Sequence, residues 1–143
     1  MVGGIDHIGI AVHSIEAARR FFEEILGLQV EDVEEVAEQG VRLAFLPVGN
    51  TRIELLEPLD DTGPVARYLA RHGEGVHHIA YRVADIDAAL TLARRQGYRL
   101  IHETPVPGAH GMRIAFFHPA GTHGVLTEIC ALADDPVHRS SDL

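Results

Sequence analysis

A chain of 143 residues with 46 % hydrophobic and 23 % charged residues has the composition of one globular domain, and no stretch approaches the roughly 20 apolar residues that span a bilayer. Its formal net charge of -9, from 12 Lys and Arg against 21 Asp and Glu, argues against nucleic acid or an anionic membrane as a partner. The N-terminus lacks the zones of a signal peptide and Cys130 is the single cysteine, so a cytoplasmic protein without an internal disulfide is expected.

Residues 5–12 are apolar and β-branched enough for a strand. Ser14 then offers an N-cap to a helix in which Ala18, Phe21, Phe22 and Ile25 recur at helical spacing, and Gly27 suits its stop. Strands are expected near residues 29–36, 41–48 and 51–57, the first of them carrying the acidic run Glu31, Asp32, Glu34, Glu35 and Glu38 as a solvated edge. Residues 59–73 read as a linker with a short helix over 65–71. A strand follows from His77 to Val83, then a helix capped by Asp85 with Ile86, Ala89, Leu90 and Ala93 on its apolar face and Gly97 at its end. Further strands are expected near residues 99–103, 112–118 and 124–131, and disorder over residues 134–143.

This succession repeats itself. Asp6, His7, Ile8, Gly9, Ile10, Ala11 and Val12 align with His77, His78, Ile79, Ala80, Tyr81, Arg82 and Val83 at an offset of 71. Ile15 to Ala18 and Ile86 to Ala89 keep the same offset, as do Arg42 to Phe45 and Arg113 to Phe116. Register held over so much of each half is the mark of an internal duplication. The chain is therefore expected to be α+β, with two tandem βαβββ modules over residues 3–58 and 74–132 joined by the linker helix 59–73. Side by side, the modules would form a cupped, eight-stranded mixed sheet with a pocket between them.

The repeat also selects among ten histidines. Strand alternation puts His7 on the face of the small residues Gly9 and Ala11, opposite the large apolar residues that should meet the helix. His78 is its repeat partner, and His77 is expected to point away. Near the end of each module a carboxylate stands among apolar residues, Glu54 in Ile53-Glu54-Leu55-Leu56 and Glu128 in Thr127-Glu128-Ile129-Cys130. Two imidazoles and two carboxylates thus converge by pseudo-symmetry. Such a mixed nitrogen and oxygen set suits one octahedral divalent ion such as cobalt, nickel or manganese, with zinc or magnesium as alternatives. Taken singly, a strand His is more often a hydrogen-bonded core residue and a lone Glu a surface charge; four repeat-related positions reverse that balance. His110, His118 and His123 read as solvent or rim residues, and Cys130 as packing.

The segments Asp6 to Val12, Glu38 to Val41, Ile53 to Pro58, Gly73 to Ala80, Pro107 to Gly111, Phe117 to Pro119 and Gly124 to Glu128 resemble the methylmalonyl-CoA epimerase family of the vicinal oxygen chelate, or glyoxalase, superfamily. That resemblance covers nearly the whole chain. It implies epimerisation of methylmalonyl-CoA in propionyl-CoA metabolism, an acyl-CoA substrate, a divalent metal that is often cobalt, and a homodimer. Carried over by position, His7, His78 and Glu128 match the family's metal ligands, and Glu54 holds the fourth ligand position. The sequence departs at Leu43, where some members carry a Glu thought to be a catalytic base. Glu54 and Glu128 are accordingly expected to be the proton-exchanging pair. Backbone N–H groups of Gly108, Ala109, His110 and Gly111 are candidates for the substrate carboxylate, with a plain glycine turn as the equal alternative. Arg113 is a candidate for CoA phosphates.

Three rivals share the architecture. Glyoxalase I has the same His, Glu, His, Glu order and would act on a glutathione hemithioacetal. A metal-free binding module predicts no bound ion. A ring-cleaving dioxygenase ordinarily needs a longer chain.

Overall fold

The computed structural model describes residues 1–133; the disorder expected over residues 134–143 lies outside them. The elements run β1 (Val2–Ala11), α1 (Ile15–Glu24), β2 (Asp32–Val36), β3 (Val41–Val48), β4 (Thr51–Pro58), α2 (Pro64–His72), β5 (Gly75–Val83), α3 (Ile86–Arg95), β6 (Val106–Pro107), β7 (Met112–Phe117) and β8 (Thr127–Leu132). One mixed sheet holds all eight strands in the order β2-β3-β4-β1-β5-β8-β7-β6. The α+β class and the eight-stranded mixed sheet are those expected from the sequence.

The helices start where the sequence places their caps. Ser14 Oγ accepts from the Ala17 N–H and Asp85 Oδ1 from the Ala88 N–H, each satisfying a donor that the first helical turn leaves over. α1 ends near Gly27 and α3 near Gly97, both with positive φ.

Alternation along each strand sorts the core into two layers. On one face Val12, Ile15, Ala44, Leu46 and Leu55 pack with Phe22 of α1, and Val83, Ile86, Leu90, Ala115 and Ile129 pack beneath α3. On the other face Ala11, Leu43, Phe45 and Leu56 pack with Val65 and Leu69 of α2, while Ala80, Ile114 and Cys130 form the matching patch in the second half. Each fully buried Leu or Ile contributes roughly 1.5–3 kcal/mol of apolar transfer free energy, so these layers fix the register of every strand that carries a site residue.

Three strand expectations are corrected. The strand expected over residues 124–131 starts only at Thr127, because Val125 is held in a turn, its N–H on the Thr122 carbonyl and its carbonyl accepting from Thr122 Oγ1. Residues 29–31 are not strand, because Leu28 and Val30 turn inward to pack on the α1 cluster. Residues 99–103 are not strand either. Leu100 makes a single bridge to Phe117, and pairing resumes only at Val106–Pro107. Pro105 and Pro107 lack the N–H groups a longer ladder needs.

Candidate metal centre and active site

β1 and β5 are antiparallel neighbours at the centre of the sheet, flanked in parallel by β4 on one side and β8 on the other. Register places Glu54 beside Gly9 and Glu128 beside Ala80, and opposite Phe45 and Phe116 on the next strands out. Gly9 and Ala80 are themselves repeat partners, so each carboxylate has a small residue at its side and a phenyl ring behind it. His7, Glu54, His78 and Glu128 are all buried, at 3–6 % exposure.

Three of the four meet. His7 Nε2 lies 3.1 Å from His78 Nε2, and Glu128 Oε1 lies 3.2 Å from His78 Nε2 and 3.5 Å from His7 Nε2. Donor atoms about 2.0–2.2 Å from one ion, at octahedral or tetrahedral angles, are separated by about 2.9–3.6 Å. The observed triangle has that size, so these residues fit a divalent ion. Glu54 lines the same cavity, with Oε2 3.0 Å from the outer nitrogen of His7, Nδ1, rather than at the triangle.

A second layer orients the first. Asp6 Oδ2 accepts from His7 Nδ1 at 2.8 Å and receives Arg52 at 2.7 Å, while Asp6 Oδ1 receives Arg82 at 3.3 Å. Arg52 also reaches Glu54 Oε2 at 3.3 Å and lies over the ring of Phe45. His77, expected to point away, instead lines the cavity, with Nδ1 2.9 Å from His78 Nδ1. The cause is a register shift on β5. Gly9 faces His78 but Ile10 faces Val76, so His77 is the extra residue of a β-bulge and alternation breaks there.

Burial opposes the charge of every group in this cluster, and the neighbours decide the outcome. At Asp6 burial is outweighed by the His7 hydrogen bond and by Arg52, and its pKa falls to about 2. At His7 burial is outweighed by hydrogen bonds to Asp6 and Glu128 and by the charges of Glu54 and Glu128, and the pKa rises to about 10. Glu128 is brought down to about 2 against its burial by hydrogen bonds from His7 and His78. Glu54 goes the other way: its burial dominates, the Glu128 charge adds to it, and the proton is held more tightly than usual. Burial, with a smaller contribution from His78, lowers His77 to about 4. Burial also pushes the Cys130 thiol well up, with the neighbouring carboxylates adding, which leaves it unreactive.

The cavity over this cluster holds about 180 Å³ and has largely apolar walls, among them Val36, Leu43, Leu56, Ile101 and Met112. Gly108 and Ala109 line it; His110, Gly111 and Arg113 do not. The Gly108 N–H is bound to the Met112 carbonyl and the His110 N–H to the Glu34 carboxylate. His110 stacks on Phe45 with ring centroids 4.2 Å apart and sets Nε2 3.2 Å from Asp32, tying the second half of the chain to edge strand β2 of the first. Arg113 is held by Asp87 of α3. Thus the acidic run is partly engaged rather than simply solvated. His118 caps its own turn by accepting from the Ala120 N–H.

Asp6, Arg52, His77 and His102 escaped the sequence reading as site residues. Asp6 and His77 each stand one place before a repeat-related His, and Arg52 shares a strand face with Glu54, so a signal existed for those three. His102 lines the cavity and accepts the Phe116 N–H, but it lies in the segment that was expected to be strand, where nothing marked it.

The fold and this site define a class. Residues 6–116 match the Glyoxalase/Bleomycin resistance protein/Dioxygenase superfamily, to which the chain belongs. The Bacillus subtilis protein YqjC is 44 % identical over 88 % of this chain and 90 % of its own. The human mitochondrial methylmalonyl-CoA epimerase is 38 % identical over 90 % of this chain and 73 % of its own. A solved methylmalonyl-CoA epimerase in complex with methylmalonyl-CoA and NH4+ superimposes with a TM-score of 0.89 at 42 % identity, covering 93 % of this chain and 96 % of that one. Within the superfamily, the chain belongs to the methylmalonyl-CoA epimerase family of isomerases.

Proposed function

We propose that this protein is a metal-dependent epimerase that interconverts the two epimers of methylmalonyl-CoA, removing the α-proton and returning it on the opposite face. One observation carries the reading: the buried triangle of His7, His78 and Glu128 in an apolar cavity, within a chain closely similar to a methylmalonyl-CoA epimerase that binds this substrate. Those three residues would hold the ion, with Glu54 as fourth ligand by its repeat relation to Glu128. Cobalt is favoured, with nickel, manganese, zinc or magnesium as alternatives. When bound, the ion supplies positive charge that stabilises the enolate left as the α-proton departs.

Glu54 and Glu128 exchange the proton. They stand on β4 and β8, which flank the central β1–β5 pair on its two sides, so a substrate between them presents one face to each. Inversion calls for two acid or base groups placed that way. Burial tightens the hold of Glu54 on a proton, which suits a group that must take one and give it back, whereas Glu128 is held ionised by His7 and His78 and takes a proton only as those contacts loosen. Leu43 lines the cavity but carries no proton, so the base found at this position in some family members has no counterpart here. The apolar walls exclude water and strengthen every charge interaction within. Gly108 and Ala109 line the cavity and are the part of the turn Gly108–Gly111 placed for the substrate carboxylate, although the Gly108 and His110 N–H groups must first leave the Met112 carbonyl and the Glu34 carboxylate; Arg113 must likewise release Asp87 to meet CoA phosphates. A homodimer and a cytoplasmic setting belong to the same proposal, the former by resemblance to the family.

Incubating one epimer of methylmalonyl-CoA with cobalt-loaded protein, and the hemithioacetal of glutathione and methylglyoxal in parallel, tests the reading. Appearance of the second epimer without lactoylglutathione is expected. The converse pattern would assign glyoxalase chemistry instead.

A further inference from the structure

The residue before each ligand-bearing histidine is turned into the cup by a bulge. On β1, Ile5 faces Tyr81 and His7 faces Ala80, which leaves Asp6 unopposed; on β5, His77 is unopposed in the same way. Asp6 and His77 are repeat partners. Each meets the outer nitrogen of the histidine that follows it, Asp6 at 2.8 Å from His7 Nδ1 and His77 at 2.9 Å from His78 Nδ1. The duplication has thus conserved a geometry while changing its chemistry. An ionised carboxylate only accepts, so Asp6 fixes the proton on His7 Nδ1. A neutral imidazole donates or accepts, and which of the two His77 does decides what His78 can be.

We propose that His77 is a positioning residue: its Nδ1 accepts from the His78 Nδ1–H and so holds His78 in the tautomer whose Nε2 lone pair faces His7 and Glu128. The inference rests on the reading of His78 as a metal ligand. A ligating Nε2 is unprotonated, so the proton of His78 belongs on Nδ1, where a buried N–H without an acceptor is costly. His77 Nδ1 is the acceptor in place. The arrangement is braced from outside. His77 packs edge-on against Tyr68 of α2, whose hydroxyl donates to the Val76 carbonyl at 2.8 Å. Phe116 packs edge-on against the His78 ring. In this arrangement His7, paired with a carboxylate, is the stronger electron donor and His78, paired with a neutral ring, the weaker. The two imidazoles of the pseudo-symmetric site are therefore not equivalent.

The test has two parts. In zinc-loaded, 15N-labelled protein, imidazole NMR is expected to find the His78 proton on Nδ1, a scalar coupling across the hydrogen bond to His77 Nδ1, and the His77 proton on Nε2. Zinc affinity is then measured by chelator competition for the wild type, for His77→Asn, which keeps an acceptor near the ring Nδ1 position, and for His77→Leu, which removes it. His77→Asn is expected to bind within about threefold of wild type and His77→Leu about 10–100-fold more weakly. A proton on His77 Nδ1 with His78 accepting, or zinc held by His77→Leu as tightly as by wild type, would overturn the role of His77 alone. Wild-type protein that fails to bind zinc would overturn the metal reading and this inference with it.

Discussion

The ring of His78 lies against the α-carbon of Gly9, its partner across the β1–β5 ladder: a β-carbon on Gly9 would fall 2.4 Å from Cε1 of His78 and 2.7 and 2.9 Å from its two nitrogens. Contacts that short do not persist, so something must move. The backbone at Gly9 lies outside the positive-φ region, so alanine is compatible with the strand and the imidazole is what yields. Gly9→Ala is expected to fold, to lose metal affinity, and to lower kcat by about a hundredfold, the usual scale for an ångström of misplacement in an active site. Metal analysis and kinetics on the same preparation check this; normal metal content with normal kcat would contradict it.

Glu54 and Glu128 separate when each is replaced by glutamine. The amide oxygen of Gln can still face an ion but cannot carry the proton, so Glu54→Gln is expected to keep its metal and lose about 10²–10⁴-fold in kcat. Glu128→Gln also loses an anion bonded to both histidines, and is expected to lose metal affinity as well as activity. Full epimerase activity in Glu54→Gln with a normal metal content would remove Glu54 from the chemistry.

The metal-free protein is expected to be most stable near neutral pH. Asp6 and Glu128, both lowered to about 2, stabilise the fold above the ordinary carboxylate range and lose that contribution as pH falls towards 2. His77, lowered to about 4, adds to the acid loss, because its unfolded form takes up a proton from about pH 6.5 downward. Glu54, raised, acts in the opposite sense and softens that limb. His7, raised to about 10, stabilises fully below its ordinary value near 6.5 and loses this as pH rises through 10. Thermal unfolding of metal-free protein across pH 3 to 10 tests the account; a Tm flat over that range would contradict it. An ion must displace the His7 proton, so apparent metal affinity should also rise with pH.

Much of the fold and half of the site could be read from the chain because duplication makes the sequence its own alignment. The offset of 71 pairs His7 with His78, and the matching places of Glu54 and Glu128 near the end of each module draw them to the same site; all four line the cavity. What alternation could not reveal was its own failure. The bulges fall on Asp6 and His77, neither of them a glycine or proline, so alternation alone puts His77 on the wrong face. The proline-interrupted segment before β7 failed differently. Its apolar residues have strand character, but only Val106 and Pro107 join a ladder; Leu100 packs on the sheet with a single bridge, Ile101 lines the cavity, and His102 enters the pocket beside it.

The decisive measurement is proton exchange at the α-carbon of methylmalonyl-CoA in deuterated water, with metal-free and cobalt-loaded protein side by side. Solvent deuterium is expected to enter the product, with inversion, only in the cobalt-loaded sample. Equal exchange without the metal, or none with it, would contradict a metal-stabilised enolate flanked by Glu54 and Glu128.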